Sequence, residues 1–201
     1  MNLFRKIFGS SISPSDKDKE KKNSKFLPDA DMMSIDEQFI YNFKKNGGKF
    51  LYCENIKEVS EQFENILEEN DWYESEVLCY EPKLFNILDE NKLSYEKSAN
   101  PKFLFSYCEN LIAHEGSILF SSNQIKQLKP HELPVNIIVV ATTSQILAVK
   151  SDGLTSIIKK YKGDYPTNIT AIKYFKKAKE EDFTQYGSSA KNIYLLLLED
   201  L

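Results

Sequence analysis

Apolar residues along this chain alternate between short continuous runs and sets with helical spacing. Continuous runs at residues 117–120, 135–141 and 192–198 are rich in Ile, Val and Leu and are bounded by turn-forming residues, which predicts buried strands. Shorter aromatic and apolar runs at residues 49–53 and 76–80 predict two more strands. The most apolar run, NIYLLLL, has the continuity of a central strand that is covered on both faces.

Sets of apolar residues at helical spacing predict helices between these strands. Ser34 and Glu37 form a capping-box pattern at the start of the first helix, which is predicted to end at Gly47 and Gly48. The second helix is predicted over residues 55–70, where apolar residues recur every three or four positions. Two further strands are predicted at 103–105 and 170–175. Further helices are predicted from Pro82, over 107–113 and, with polar character, over 177–186. One more helix is predicted over 144–150 and 153–163, with an interruption near Gly153.

This alternation of strands and helices is typical of an α/β domain with a three-layer, Rossmann-like fold and a mostly parallel sheet. The length of 201 residues suits one such domain, predicted over residues 31–201. Residues 10–30 are rich in serine and charge and are predicted to be a disordered linker, because they bury too little apolar surface to offset the entropy cost of ordering. Residues 1–9 have a short amphipathic pattern, for which a weak contact with a membrane surface or a partner and a frayed or docked tail remain alternatives.

Composition and charge exclude several classes of protein. The net charge is −4 and the excess acid lies outside the lysine-rich start of the chain, so nucleic acid is not expected as a partner. No apolar run approaches the roughly 20 residues that span a bilayer, and the start of the chain lacks the pattern of a secretory signal peptide. A cytoplasmic protein without a stable membrane span is therefore predicted.

The sequence offers no motif for a metal or a cofactor. It contains no glycine-rich motif of the kind that binds dinucleotides or ATP, and its histidines lack the spacing of metal ligands. The three cysteines, Cys53, Cys79 and Cys108, show no CxxC spacing and are predicted to be buried free thiols, with a nucleophilic Cys108 as the alternative. No metal site and no cofactor are predicted.

Small hydroxyl and amide residues follow two of the predicted strands. Open α/β sheets gather their ligand-binding groups at the carboxyl ends of their strands, so both sets are candidates for binding a small anionic ligand. We predict that the two strands adjoin and deliver these groups to one hollow. For the second set, capping of the following helix is the alternative, and it is compatible with an anion at the same place. The two sets are Ser121, Ser122 and Asn123, and Thr142, Thr143 and Ser144.

The turn before the first of these strands carries further candidates. Gly116 permits a positive φ or a close backbone approach, which would leave backbone amides and the Ser117 hydroxyl free to hold an anion. Glu115 is the candidate general base of this turn, and His114 is a second candidate catalytic residue. The alternative is that both are ordinary residues of a surface turn.

The runs LIAHEGSILFSS, LPVNIIVVATTSQI and NIYLLLLEDL together resemble the LUD-domain family, the lactate-utilisation C-type proteins. That family's usual pattern is an Ala-Glu-Thr-Gly-Thr turn, a strand, then Leu-Pro and a strand that starts with His-Ile. The resemblance covers residues 100–147 and the last strand. It implies a fold of the sugar-phosphate isomerase and CoA-transferase type, a role in lactate oxidation, and an iron-sulfur protein as the partner that carries the clusters.

The resemblance is partial at the family's motifs. Ala113, Gly116 and Ser117 fit the turn, but His114 stands where the family usually has Glu, and Glu115 stands where it usually has Thr. Near the C-terminus, residues 187–189 replace the family's glycine- and proline-containing turns. Two functions therefore remain open: an accessory subunit in lactate or other organic-acid utilisation, and a non-catalytic small-molecule-binding or regulatory module of the same fold. A stand-alone transferase or isomerase is a third alternative.

Overall fold

The computed structural model describes residues 33–95, 100–175 and 190–200. The segments predicted at 1–9 and 10–30, the helix predicted at 177–186 and the turn at 187–189 lie outside the described residues. The strands are β1 (Lys49–Cys53), β2 (Val77–Leu78), β3 (Phe103–Tyr107), β4 (Asn110–Ile112), β5 (Ser117–Ser121), β6 (Asn136–Thr142), β7 (Ile146–Leu147), β8 (Ile169–Ile172) and β9 (Asn192–Leu198). The helices are α1 (Ile35–Lys45), α2 (Ile56–Asn70), α3 (Phe85–Glu90), α4 (Ser122–Ile125) and α5 (Lys150–Tyr161), with 3-10 turns at Pro82–Leu84 and Thr143–Gln145.

The central sheet confirms the predicted α/β class. Its five strands have the order β1-β9-β6-β3-β2, and each neighbouring pair is parallel. As the NIYLLLL run predicts, β9 lies inside this sheet, between β1 and β6, and its residues 193–197 are buried. Helices cover the sheet, as a parallel sheet requires, because its strands are apolar on both faces.

Aromatic side chains form much of the core between the central sheet and α2. The ring of Phe63 on α2 lies 4.5 Å from the ring of Phe105 on β3, measured between centroids. Trp72, which follows α2, stacks on Phe103 at 5.1 Å. All four side chains are buried, and burial of one such side chain contributes about 1.5–3 kcal/mol. These contacts hold α2 on the sheet and leave the carboxyl ends of the strands at one edge.

Helix α1 forms as its sequence pattern predicts. The Ser34 hydroxyl accepts a hydrogen bond from the Glu37 amide at 3.3 Å, and the Glu37 carboxylate accepts one from the Ser34 amide at 2.9 Å. This capping box satisfies amides that have no partner within the helix. Gly48 lies just after the helix, where a Cβ would come within 2.3 Å of the Phe43 ring.

A second, smaller sheet was not predicted. It has four strands in the order β7-β4-β5-β8, in which β5 is antiparallel to both of its neighbours. The prediction that the strands at 117–120 and 135–141 adjoin is therefore wrong, because β5 and β6 belong to different sheets. The physical reason is that both edges of β5 are already paired. The four-residue connection lets β5 form a hairpin with β4, and β8 pairs with its other edge.

Three predicted helical features are also wrong. The short helix predicted over 107–113 contains β4, and the helix predicted over 144–150 is instead a 3-10 turn followed by β7. Both segments are apolar but short, so pairing with another strand decides their conformation. The interruption predicted near Gly153 is absent, since α5 runs through that residue. A Cβ there would lie 2.6 Å from Leu119 Cδ1, so glycine lets α5 pack closely on the second sheet.

Candidate functional site

The turn at 113–116 is held against α1 by two asparagine side chains. Asn42 Nδ2 donates to the carbonyls of Ala113 and His114 at 2.9 and 3.2 Å. Asn46 Nδ2 donates to the carbonyls of Glu115 and Gly116 at 2.7 and 3.2 Å. Four successive carbonyls of the turn thus bind to α1 and to Asn46, the residue that caps its C-terminus.

The groups of this turn that were predicted to hold an anion donate hydrogen bonds to other groups of the protein. The His114 amide donates to the Ala148 carbonyl at 3.0 Å, and the Gly116 amide donates to the Ala113 carbonyl at 3.3 Å. The Ser117 hydroxyl donates to Glu115 Oε2 at 3.2 Å. His114 is exposed and Glu115 is half-buried. The structure brings these residues together, and their catalytic roles stay predictions.

The hydroxyl groups after β6 surround a carboxylate of the chain itself. Asp200 Oδ1 accepts from the Thr143 hydroxyl at 2.8 Å and from the Ser144 amide at 2.9 Å, and Oδ2 accepts from the Ser144 hydroxyl at 2.6 Å. The Thr142 hydroxyl lies 3.0 Å from that of Ser144. Burial raises the pKa of Asp200, but the hydrogen bonds from Ser144 and Thr143 outweigh it and lower the pKa to about 2. Thr143 and Ser144, which were predicted to bind an anionic ligand, therefore bind the carboxylate of Asp200 instead.

Replacing Asp200 with asparagine should remove a pH-dependent part of the stability. Because folding lowers the pKa of this carboxyl from 3.8 to about 2, its stabilisation is present above pH 3.8 and is lost as the pH falls through about 2. The side chain is largely exposed, so solvent screening limits the effect to about 1 kcal/mol or less. The difference in unfolding free energy between wild type and Asp200→Asn, measured from pH 7 to pH 2, should be constant at first and then shrink. Parallel pH profiles would contradict this linkage.

The residues after β5 adopt the same local arrangement as those after β6. The Ser121 amide donates to Gln124 Oε1 at 2.8 Å, and the Thr142 amide donates to Gln145 Oε1 at 2.8 Å. Each strand thus ends in a hydroxyl residue whose amide is capped by the glutamine three positions later. The Ser122 hydroxyl accepts from the Thr167 amide at 3.0 Å, and Asn123 is exposed.

The two glutamines meet at Glu109, which follows β3. Gln124 Nε2 donates to Glu109 Oε1 at 2.9 Å. Gln145 Nε2 donates to the backbone carbonyls of Cys108 and Glu109 at 2.8 and 3.0 Å. The ends of β5 and β6 therefore converge although they lie in different sheets, and Glu109 connects them.

Glu109 is a buried carboxylate with four side-chain donors. Its side chain has no exposed surface, whereas that of Lys160 is 54% exposed. Besides Gln124, the donors are Lys160 Nζ at 2.7 Å, the Tyr161 hydroxyl at 2.7 Å and the Ser121 hydroxyl at 2.6 Å. Burial raises the pKa of Glu109, but the hydrogen bonds, led by that from Lys160, outweigh it, so the pKa lies below its ordinary value. The group is therefore a fixed anion at neutral pH.

A second carboxylate, Glu81, lies near the same edge of the central sheet. It follows the end of β2 and is half-buried. Burial is the largest influence on its pKa and raises it, and the charge of Glu109 acts in the same direction. The ammonium groups of Lys126, Lys160 and Lys83 act in the opposite direction but do not cancel the rise. Three lysines thus act electrostatically on Glu81, and one of them, Lys160, pairs directly with Glu109.

Sequence reasoning missed Glu109, Lys160 and Asp200. The available signals were weak. Asp200 follows a predicted strand, whereas Glu109 lies in the segment 107–113 that was predicted as a helix, and the strand ends at 121–124 and 142–145 share a hydroxyl-x-x-Gln pattern. Lys160 gives no signal, because it is one of several lysines near the end of α5. Only the packing of α5 on the second sheet brings it to Glu109.

The three cysteines are buried and free, as predicted. Burial raises the pKa of Cys79 to about 11 and that of Cys53 to about 12, and it raises the pKa of Cys108 further. Since the thiolate is the nucleophile, the burial of Cys108 and its raised pKa argue against the nucleophilic alternative. Within the described residues no group of three or more His, Cys, Asp or Glu is placed to hold a metal ion. No helix in the described part of the chain has the length and apolarity to cross a bilayer.

Comparison with known proteins identifies a shared fold. No family model matches the sequence, and no curated protein matches it either. The chain is similar to the crystal structure of a DUF162 family protein from Deinococcus radiodurans, with a TM-score of 0.58 and 12% sequence identity. The similarity covers 83% of this chain and 96% of the other. At this identity it shows the α/β fold alone.

Proposed function

We propose that the protein is a divergent LUD-domain protein that acts as an accessory subunit in lactate or related organic-acid utilisation. The observation that carries the proposal is the fold shared with the DUF162 protein over 83% of this chain, because DUF162 is the LUD-domain family. The motifs that resemble the family support it, since they fall on β4, β5, β6 and β9. The proposed partner is an iron-sulfur protein in the cytoplasm.

The internal pairing of the polar groups supports an accessory role over an independent catalytic one. Asp200 accepts hydrogen bonds from the hydroxyls that follow β6, and Asn42 and Asn46 donate hydrogen bonds to the carbonyls of the turn at 113–116. The thiols have pKa values far above neutral pH. Within the part of the chain that the structure describes, these pairings leave few groups for acid-base or redox chemistry, so we assign the electron transfer to the clusters of the partner.

Deletion of the gene and affinity purification of the tagged chain test this role. A deletion strain is expected to lose growth on lactate and to grow normally on glucose, and the full-length chain supplied on a plasmid should restore growth. The tagged chain should co-purify with an iron-sulfur protein, detected by visible absorption and iron content. Normal growth of the deletion strain on lactate would contradict the proposal.

The second candidate function is a non-catalytic small-molecule-binding or regulatory module of the same fold. The three lysines whose charges act on Glu81 favour it, because they offer positive charge near the strand ends where α/β folds bind ligands. Normal growth on lactate together with anion binding by the purified chain would favour this function. Turnover of an organic acid or a sugar phosphate by the purified chain alone would contradict both candidates.

A further inference from the structure

We propose that one exposed face of α5 docks the protein reversibly on an anionic lipid surface. This face is the α5 ridge, formed by Lys150, Leu154, Ile158 and Lys162. The proposal goes beyond the accessory role, which requires a partner protein but no membrane. It concerns contact with the surface of a bilayer and not a span across it.

The α5 ridge is continuous, because its four residues follow one another at four-residue spacing. Residues four positions apart on a helix are neighbours, with Cβ atoms about 5–6 Å apart. Lys150 is the first residue of α5, and Lys162 caps its C-terminus. The ridge therefore places two apolar side chains next to each other, with a lysine at either end, over a length of about 18 Å.

The packing of α5 on the second sheet leaves this ridge in solvent. Gly153 and Ile157, one turn apart, are the buried residues of the helix, and a Cβ on Gly153 would lie 2.6 Å from a leucine side chain of β5. The helix is therefore oriented with this pair inward. On the neighbouring ridge, Leu154 is 37% exposed and Ile158 is 56% exposed.

Exposed apolar side chains are concentrated around this helix. Among the described residues nine large hydrophobic side chains are exposed, and four of them lie within residues 149–165. The other five are spread over residues 35–135. Single exposed apolar side chains are normal on any protein, whereas a contiguous group that carries neighbouring polar residues marks an interaction surface.

The charge of the ridge favours an anionic surface. Lys150 and Lys162 are exposed, and neither forms an ion pair with another described residue. Asp152, the acidic residue of α5, is separated from the ridge by the buried pair. Lysines beside an exposed apolar stripe are typical of helices that lie on anionic membranes. The alkyl part of each lysine can lie along the acyl chains while its ammonium reaches the headgroup phosphates.

A second copy of the chain would fit the ridge less well than a lipid surface. If two copies packed this ridge against itself, the lysines of one copy would face the lysines of the other, and like charges repel. Two apolar side chains also offer much less area than the roughly 800 Å² that each partner contributes to a stable protein interface. A weak, reversible membrane contact needs only some apolar burial together with attraction to the headgroups.

Co-sedimentation of the purified full-length chain with lipid vesicles tests the proposal. Vesicles of phosphatidylglycerol and phosphatidylcholine in equal parts supply the anionic surface, and vesicles of phosphatidylcholine alone lack it. Wild type is expected to bind the anionic vesicles, and to bind them less as salt is added, because salt screens the attraction of the lysines. The assay contains neither a partner protein nor lactate, so its result is independent of the accessory role.

Variants on α5 and matched controls on α2 locate the contact. Ile158→Ser should weaken binding to the anionic vesicles about tenfold, because a large apolar side chain is no longer buried in the lipid. Lys162→Gln should weaken it about fivefold, as expected for one lysine near an anionic surface. The controls Ile56→Ser and Lys57→Gln should bind as wild type does. Ile56 is 58% exposed and the Lys57 side chain is 85% exposed, but their helix carries five glutamates.

Melting curves show whether each variant is folded, and these exposed substitutions should melt within about 3 °C of wild type. The proposal is overturned if wild type binds neither kind of vesicle or binds both equally. It is also overturned if Ile158→Ser and Lys162→Gln bind as tightly as wild type, since any lipid contact would then lie outside α5. Dimerisation that Ile158→Ser abolishes, measured by analytical ultracentrifugation, would assign the ridge to a second copy and would equally overturn the proposal.

Discussion

Replacing Glu109 with alanine is expected to lower the free energy of unfolding by about 2–4 kcal/mol. The variant loses a carboxylate with no exposed surface and removes an acceptor from four donors, of which Gln124 is buried, Tyr161 is half-buried and Lys160 is 54% exposed. The fourth, the buried Ser121 hydroxyl, still has Gln124 Oε1 within 2.9 Å. Unpaired buried donors keep their full desolvation cost, which is why the loss exceeds the net value of the hydrogen bonds. Urea unfolding followed by circular dichroism measures the change.

Glu61→Ala is the matched control for Glu109→Ala. Glu61 pairs with Lys57 at 3.3 Å, but both side chains are largely exposed, at 53% and 85%. Removal of this pair should cost about 0.5 kcal/mol or less. Similar losses of unfolding free energy in the two variants would show that the buried hydrogen bonds of Glu109 stabilise the fold no more than an exposed ion pair does.

The effect of Glu109 should also depend on pH. Because folding lowers the pKa of this carboxyl below 4.5, its contribution is fully present above that value and declines as the pH falls below it. The difference between wild type and Glu109→Ala should therefore be constant near neutral pH and become smaller in acid.

Replacing Gly116 with alanine is expected to cost about 2–4 kcal/mol of stability. The residue has a φ of +59°, and a Cβ there would lie 2.4 Å from the Asn42 carbonyl carbon and from the Phe43 amide nitrogen. Both are backbone atoms of α1, so they cannot move aside as a flexible side chain would. The variant must either distort α1 or break the hydrogen bonds from Asn42 and Asn46 to the turn. Thermal and urea unfolding measure the loss.

Gly163→Ala separates backbone strain from the clash. Gly163 also has a positive φ, of +115°, but no atom lies within 4 Å of a Cβ built there. This variant should show only the cost of the backbone conformation, about 1 kcal/mol. Equal losses in the two variants would mean that the packing of the turn against α1 contributes little.

The elements that the sequence predicts correctly are those whose signals are local. The capping box at Ser34 and Glu37 involves residues three positions apart, and the glycines that end α1 act on the same stretch of chain. The run that becomes β9 is apolar over seven residues, so burial in the middle of a sheet follows from its composition. Local chemistry also predicts that hydroxyl residues follow β5 and β6.

The elements that the sequence predicts wrongly are short apolar segments. β4 has three residues and β7 has two, and neither length distinguishes a strand from a helical turn. Their conformation depends on mutual pairing between Leu111 and Ile146 and between Ile112 and Leu147, residues that are far apart in sequence. The hairpin of β4 and β5 likewise depends on the turn at Gly116, whose conformation is supported by α1.

The sequence alone determined the α/β class, the central position of β9 and the polar character of the strand ends, because periodicity, capping and apolar runs act over neighbouring residues. Only the tertiary structure decided which charges meet at those ends. Asp200 reaches Thr143 and Ser144 across 56 or 57 positions of chain, and Lys160 reaches Glu109 across 51. Such pairings depend on how helices and sheets pack, and a lysine or an aspartate carries no local signal of the partner it will meet.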